Sequence, residues 1–360
     1  MNSHTQIPPG TQILIGNAAR RRRAVEAKVF SVFEGWSYEE IIPPMFDYFD
    51  VFIKGMGSDL EGRIYRFIDR EGNVLALRPE FTSLLAKMAA TRLSDYPRPV
   101  RLSYSGEVLR FEAPKGGQQR EFAQIGIEQY GGSPTTSDVE VLLVCMESFE
   151  KLGIPDFQIN LGSVDFFGGI FDRIDLPVGE VDELKEALNF KNQTGLERIL
   201  DRLPFDEHRK KVLRSIPHLT GGPEVLVKAR NLVRNDRSRQ AIDHLEEIYS
   251  IFGELGLAEH LTIDLGEIRG FDYYSGILFR AYVPGLGFEV ANGGRYDGLP
   301  AQFGRDTPAV GFSFSLDRLE QIVDEGLGTG EDESRAALAT SSFEEARRFR
   351  SQGQKVKLCW

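Results

Sequence analysis

The chain of 360 residues is 41% apolar and 11% aromatic, which excludes a disordered polypeptide and provides for a sizeable core. A formal charge of −11 and a pI near 5.2 argue against a generally basic nucleic-acid surface, though not against a local basic patch. Two distant cysteines, Cys145 and Cys359, imply no disulfide framework or metal site, and no window nears the ~18 apolar residues of a membrane span, so a soluble cytoplasmic protein without metal or cofactor is expected.

In chain order, Val25, Val29, Val32 and Phe33 share one face of a helix predicted over 17–36. The run Arg20 to Arg23 points in four directions around that helix and reads as a solvated surface rather than an RNA contact. Residues 40–46 read as an extended segment carrying Pro43 and Pro44, and 63–68 with 74–78 as a hairpin. A helix over 82–92 precedes strands at 100–111 and 121–130, which flank the polar, glycine-bearing loop 112–120. Helix 137–152 and strand 157–161 complete a first α+β block. Residues 165–257 read as an inserted helical domain whose last helix carries Ile242, Leu245, Ile248, Tyr249 and Phe252 on one face. Strands resume at 261–265, 276–282 and 288–292, and 311–319 runs from strand into helix. One antiparallel sheet built from both sides of the insert is the simplest arrangement. After a linker, a strand at 336–339, a capping box of Ser342 and Glu345, and a strand at 356–358 form a short βαβ-like stub. The organisation expected is a core of 1–164 with 258–325, an insertion of 165–257, and a linker and stub of 326–360.

The segment 266–279 is the densest in chemistry. Glu267, Arg269, Asp272, Tyr273 and Tyr274 stand ahead of Ile277-Leu278-Phe279, the buried end of a strand, where desolvated polar groups need partners or a ligand. Arg269 can grip an anionic group in bidentate fashion, and Tyr274 can hydrogen-bond a planar heteroaromatic ring, which suits a small zwitterion. Single residues have structural readings too. Glu80 can favour the start of its helix, Arg110 and Glu128 can pair across strands, and Tyr273 and Tyr274 can be core aromatics.

Several separated motifs stand in the order found in the catalytic core of histidyl-tRNA synthetases, and together they cover roughly residues 8–325. Leu77-Arg78-Pro79-Glu80-Phe81-Thr82 resembles the segment that receives the amino acid's ammonium group. Arg110-Phe111-Glu112 and Arg120-Glu121-Phe122 resemble the second class II motif. Gln124-Ile125-Gly126-Ile127-Glu128 is similar to the segment that reads the imidazole. Arg269 to Tyr274 and Gly293-Gly294-Arg295-Tyr296-Asp297-Gly298-Leu299 resemble the two histidine signatures, and 311–319 the third class motif, with its arginine at Arg318. The resemblance implies an α+β, class II aminoacyl-tRNA synthetase-like antiparallel sheet flanked by helices. It implies a histidine site of Glu80, Thr82, Arg110, Gln124, Glu128, Arg269, Tyr273 and Tyr274. It also implies a nucleotide site of Arg110, Glu112, Phe122 and Arg318, in which Phe122 and Arg318 would flank adenine.

Departures from the ligase pattern divide the family. Phe81 replaces the small glycine usual after the glutamate, which would set a bulky ring beside the pocket, and Ala113 replaces an arginine or other polar residue. The stretch after Arg318 is too short for a full anticodon-binding domain. The chain is therefore most similar to ATP phosphoribosyltransferase regulatory subunits, synthetase paralogues that work with the short form of that transferase at the first step of histidine biosynthesis. This resemblance implies a noncatalytic partner that activates the short catalytic subunit and contributes to feedback inhibition, as a homodimer within a hetero-oligomer. Histidine would be its effector, the nucleotide site vestigial, and tRNA no partner. The alternative is a histidyl-tRNA synthetase, or histidine-adenylating enzyme, lacking the anticodon-binding domain.

Overall fold

The computed structural model describes residues 6–56, 58–111, 119–171, 178–268, 274–324, 326–328 and 338–359. Helix α1 (Asn17–Gly35) buries the expected stripe of Val25, Val29, Val32 and Phe33. Arg22 is buried with them, which corrects the reading of the arginine run as wholly solvated. Four successive helical residues sweep the whole circumference, so one must face inward. Arg22 does, and its guanidinium meets Asp317 at 2.6 Å and Glu320 on a facing helix.

Pro43 and Pro44 split the next extended segment into β1 (Glu39–Glu40) and β2 (Phe46–Tyr48), which join different sheets. After α2 (Phe49–Met56), β3 (Arg66–Ile68) and β4 (Val74–Leu77) form the hairpin, and its loop is closed by Asp69 Oδ1 accepting from the backbone N–H groups of Glu71 and Asn73 at 2.9 and 2.8 Å. Then come α3 (Thr82–Ala90), β5 (Val100–Leu109), β6 (Glu121–Tyr130), α4 (Pro134–Leu152), β7 (Gln158–Ser163) and α5 (Val164–Phe171). Proline at the first position of α4 forfeits no intrahelical bond.

Helices α6 (Val178–Asn189), α7 (Gln193–Arg202) and α8 (Glu207–Ser215) precede β8 (Thr220–Gly221), α9 (Glu224–Leu232) and α10 (Asp236–Glu254). Asn192, Asp206 and Asn235 accept N-cap bonds at α7, α8 and α10. Next follow β9 (Leu261–Asp264), β10 (Ile277–Tyr282), β11 (Ala291–Arg295), α11 (Gly298–Ala301), β12 (Ala309–Ser315) and α12 (Leu316–Ile322). β8 pairs with β9, so the largely helical stretch lends the sheet an edge strand too short to leave a periodic signal. β11 lies further along than the strand expected at 288–292. Phe288 and Val290 drew the apolar pattern forward, whereas the paired residues Asn292-Gly293-Gly294-Arg295 carry almost no apolar side chain.

A nine-stranded sheet results, ordered β1-β5-β6-β12-β11-β10-β7-β9-β8, with β2, β4 and β3 set apart in a three-stranded sheet rather than joined to it as the expected single sheet would require. Strands from both sides of 165–257 alternate in it: β6 lies beside β12, and β10 beside β7. The pairs β1/β5 and β7/β9 are parallel and the others antiparallel. Beyond it, β13 (Leu338–Thr340), α13 (Phe343–Ser351) and β14 (Val356–Leu358) form a parallel βαβ unit. Ser342 Oγ accepts from the Glu345 N–H at 3.3 Å, but the Glu345 carboxylate takes the Thr340 hydroxyl instead of closing a capping box. Among the described residues no helix is long and apolar enough to cross a membrane.

Side-chain alternation along β6 separates two environments. Ala123, Ile125 and Ile127 enter the large core under α1, α4 and α12. On the opposite face Phe122 and Tyr130 join a second apolar cluster with Phe81 and Leu85, and between them stand Gln124, Gly126 and Glu128.

Candidate functional site

The register aligns Leu102, Glu128, Gly311, Gly294 and Leu278 across β5, β6, β12, β11 and β10. The adjacent row on the same face is Tyr104, Gly126, Ser313, Asn292 and Arg280. Glycine is needed beside the glutamate, because a Cβ on Gly311 would collide with Glu128 Oε2. The missing side chains leave a cavity of about 50 Å³ lined by Thr82, Tyr104, Glu128, Tyr274, Tyr296 and Ser313, among others. That is room for about three to five waters at one per ~10–15 Å³.

Glu128 is 2% exposed. Its Oε1 accepts from the Thr82 hydroxyl at 2.7 Å and the Tyr104 hydroxyl at 3.4 Å, and its Oε2 from the Tyr296 hydroxyl. Burial pushes its carboxyl up to about 8, the hydroxyl bonds pull it back in part, and the nearby Glu80 charge adds to the rise. Glu80 is buried at the start of α3, where both carboxylate oxygens accept from the Ser83 N–H at 3.1 and 3.0 Å. Burial raises its pKa, while the Ser83 bonds and the Arg110 charge oppose the rise. Its helix-starting role is thus realised.

Arg110 and Glu128 do not pair across strands, since the lateral neighbours of Glu128 are Leu102 and Gly311. Arg110 Nε donates to the Pro79 carbonyl at 2.8 Å, and its guanidinium lies 5.2 Å from the Phe122 ring. Burial lowers its pKa to about 10, against the Glu80 charge. Gln124 Nε2 donates to Ser313 Oγ at 3.4 Å, one step from the cavity wall. Tyr274 lines the cavity, and burial pushes its hydroxyl up to about 12.

Thr82, Glu128 and Tyr274 therefore share one cavity; Gln124 contacts its wall at Ser313, Glu80 lies near enough for its charge to act on Glu128, and Arg110 is turned to Pro79 and Phe122. Arg269, Tyr273, Glu112 and Ala113 lie outside the described residues. Sequence reasoning missed Tyr104, Tyr296, Asn292 and Ser313. Strand alternation from Asn292 through Gly294 points to Tyr296, but Tyr104 requires the β5/β6 register, which no local pattern supplies. Phe81 stands beside the cavity, behind its wall. It is fully buried, stacks on Tyr104 with ring centroids 4.3 Å apart, and lies 4.2 Å from the Arg78 guanidinium. Gly106 on β5 opens that space, so the ring backs Tyr104 from behind and does not line the cavity.

The family model described as histidyl-tRNA synthetase matches residues 10–319. The ATP phosphoribosyltransferase regulatory subunit of Moorella thermoacetica is 40% identical, over 88% of this chain and 82% of its own length. That of Syntrophotalea carbinolica is 36% identical, over 89% and 75% respectively. The chain belongs to the family of ATP phosphoribosyltransferase regulatory subunits. The crystal structure of an ATP phosphoribosyltransferase regulatory subunit/histidyl-tRNA synthetase from Bacillus halodurans has the same fold, with a TM-score of 0.85 over 99% of this chain and 93% of that one, at 24% identity.

The part of the site where this regulatory-subunit sequence would meet a nucleotide is arranged differently. Arg318, the residue implied to flank adenine, lies 4.6 Å from the Phe288 ring. Its Nη1 donates to the Glu289 carbonyl and approaches the Glu289 carboxylate at 3.4 Å, and Arg280 shares that carboxylate at 3.3 Å. Phe122 is held against Arg110. Both implied adenine-flanking groups thus have partners within the protein.

Proposed function

We propose that the chain is the noncatalytic regulatory subunit of ATP phosphoribosyltransferase, which activates the short catalytic subunit at the first step of histidine biosynthesis and relays feedback inhibition by histidine. One observation carries the reading. The half of the site suited to an imidazole, around Glu128, Thr82 and Tyr274, is a cavity, whereas Arg318 is tied to Phe288 and Glu289. Histidine is the effector at that cavity, with Glu80 and Gln124 beside it; Arg269 and Tyr273, which the resemblance also implies, lie outside the described residues. The core of 1–164 and 258–325 is the histidine-sensing, homodimeric platform, and 165–257 and 326–360 are available to the catalytic subunit within a cytoplasmic hetero-oligomer. Histidine regulates by binding the active and inhibited assemblies with different affinity.

Mixing the purified chain with a short-form ATP phosphoribosyltransferase should restore transferase activity. The chain alone should give no histidine-dependent exchange of pyrophosphate into ATP, and robust exchange would sink the reading in favour of a ligase. Removal of a charge-assisted hydrogen bond in Glu128→Ala should weaken histidine binding by about ten- to a hundredfold, or ~1.5–3 kcal/mol, with the fold intact. Unchanged binding would place the histidine site elsewhere.

A further inference from the structure

Among the described residues, the groups that face Glu128 are neutral or acidic; the one cation nearby on the same face, Arg280 of β10, lies one row away and is held by the Glu267 and Glu289 carboxylates at 3.3 Å. The start of α3 contributes Thr82 and Glu80, β5 contributes Tyr104, and β6 itself Tyr130. Tyr296 follows β11, Tyr274 precedes β10, and β12 offers the backbone of Gly311. Among the described residues no Lys, Arg or His forms an ion pair with it, and the nearby Arg110 is turned to Pro79 and Phe122. Hydroxyl donors offset only part of the desolvation of a buried carboxylate, in keeping with a carboxyl that holds its proton to about 8. A ring that fills the cavity displaces the remaining water and raises the cost of a lone negative charge. The favoured occupied state is then one in which carboxyl and ring together carry no net charge.

We propose that Glu128 and the imidazole of the bound ligand form a net-neutral pair that shares one proton, which makes histidine binding proton-linked and strongest in a window around neutral pH. The inference rests on the reading of the ligand as histidine. The proton balance fixes the window. Between the ring's ordinary ~6.5 and about 8, the empty carboxyl already holds the proton and the free ring is neutral, so binding exchanges none with solvent. At higher pH the carboxyl is ionised before binding, and one proton is taken up. At lower pH both groups are protonated, and one is released. Affinity therefore falls by up to about tenfold per pH unit on each side.

Calorimetric titration of the full chain with histidine from about pH 5 to about pH 9.5, in buffers of different ionisation enthalpy, counts the protons directly. A plateau with a fall on each side and proton exchange of opposite sign is expected. Triazolylalanine, whose ring is far less basic, should lose the acid fall and keep the alkaline one. Tyr296→Phe removes a hydroxyl that holds the Glu128 pKa down, so it should move the alkaline fall to higher pH. Glu128→Gln should abolish the Glu128-linked uptake, and any alkaline fall left in it belongs to the ligand's own amine. Firm histidine binding whose affinity and proton count stay flat across the range would overturn the shared proton and leave the histidine reading standing. No binding at any pH would overturn both.

Discussion

Replacing Phe81 with alanine distinguishes two physical pictures of the same residue. If the ring stood in the ligand pocket, its removal would enlarge the pocket and strengthen ligand binding. In the structure the ring is wholly buried between Tyr104 and the Arg78 guanidinium, and Arg78 is itself held by the Glu107 and Pro43 carbonyls. Truncation of a fully buried phenylalanine costs about 3–5 kcal/mol through lost transfer energy and the cavity left behind. A stacked partner adds about 0.5–1.5 kcal/mol, which falls within that range rather than on top of it. The folding equilibrium should drop by roughly two to four orders of magnitude at about 1.4 kcal/mol per factor of ten. Urea unfolding followed by circular dichroism measures this, and histidine titration of the same protein tests the site. Because Tyr104 donates to Glu128, loss of its backing should also weaken histidine binding. Stability within about 1 kcal/mol of wild type, together with equal or tighter histidine binding, would refute the placement of the ring.

Two further outcomes follow from buried charge. Asp138 and Arg295 have side chains 0% and 5% exposed and meet at 2.5 Å, with His244 Nε2 on the other Asp138 oxygen at 2.8 Å. Asp138→Ala should lose about 3–5 kcal/mol in urea unfolding, because it strands a buried guanidinium. Glu197→Ala, which breaks the exposed pair with Arg214, should not move the midpoint measurably. A small Asp138 effect would mean that Asp297, 3.1 Å from Arg295, suffices alone. The folded pKa of Glu128 lies above its unfolded value, so below about 4.5 both states bind its proton, whereas between about 4.5 and about 8 only the folded state does. Its contribution to stability is fully present below the unfolded value and is lost as pH rises through that window, by up to about 1.4 kcal/mol per unit. Glu128→Gln should flatten that decline in unfolding measured at about pH 5 and about pH 8, and parallel curves for the two proteins would contradict the burial argument.

What could be read from the sequence was whatever repeats locally. The stripe of α1, the hairpin of β3 and β4, and the limits of β6 follow from period and turn chemistry, as does the joining of strand runs from either side of the helices in one large sheet, but not its two parallel pairs or the separate sheet that takes β3 and β4. Thr82, Glu128 and Tyr274 were accessible as motif residues. Their shared cavity was not, because it depends on which residues lie opposite across β5, β6, β12 and β11, and register is a non-local property. The same limit explains β11. A strand that brings Asn292 and Gly293 to a cavity wall must give up the apolar residues by which strands are recognised.

The arginine run shows how a local pattern misleads when its partner is distant. Arg22 reaches Asp317, which also accepts from Gln12 at 2.5 Å and from the Ala123 backbone N–H at 2.8 Å. One carboxylate thereby joins the N-terminal segment, α1, the start of β6 and the start of α12. Arg318 is the next residue along, so its helix is pinned to the strand that carries Glu128, while its guanidinium is drawn the other way, to Phe288 and Glu289. To place that cation against a nucleotide, the protein would have to break a charge-assisted contact and a cation–π contact, the latter alone worth about 0.5–1 kcal/mol. The Glu128 side requires no such exchange, since the three hydroxyls on Glu128 already stand around the cavity. On the proposed reading that asymmetry separates a ligand pocket from an active site, and it lies in residue partnerships rather than in which motif residues survive.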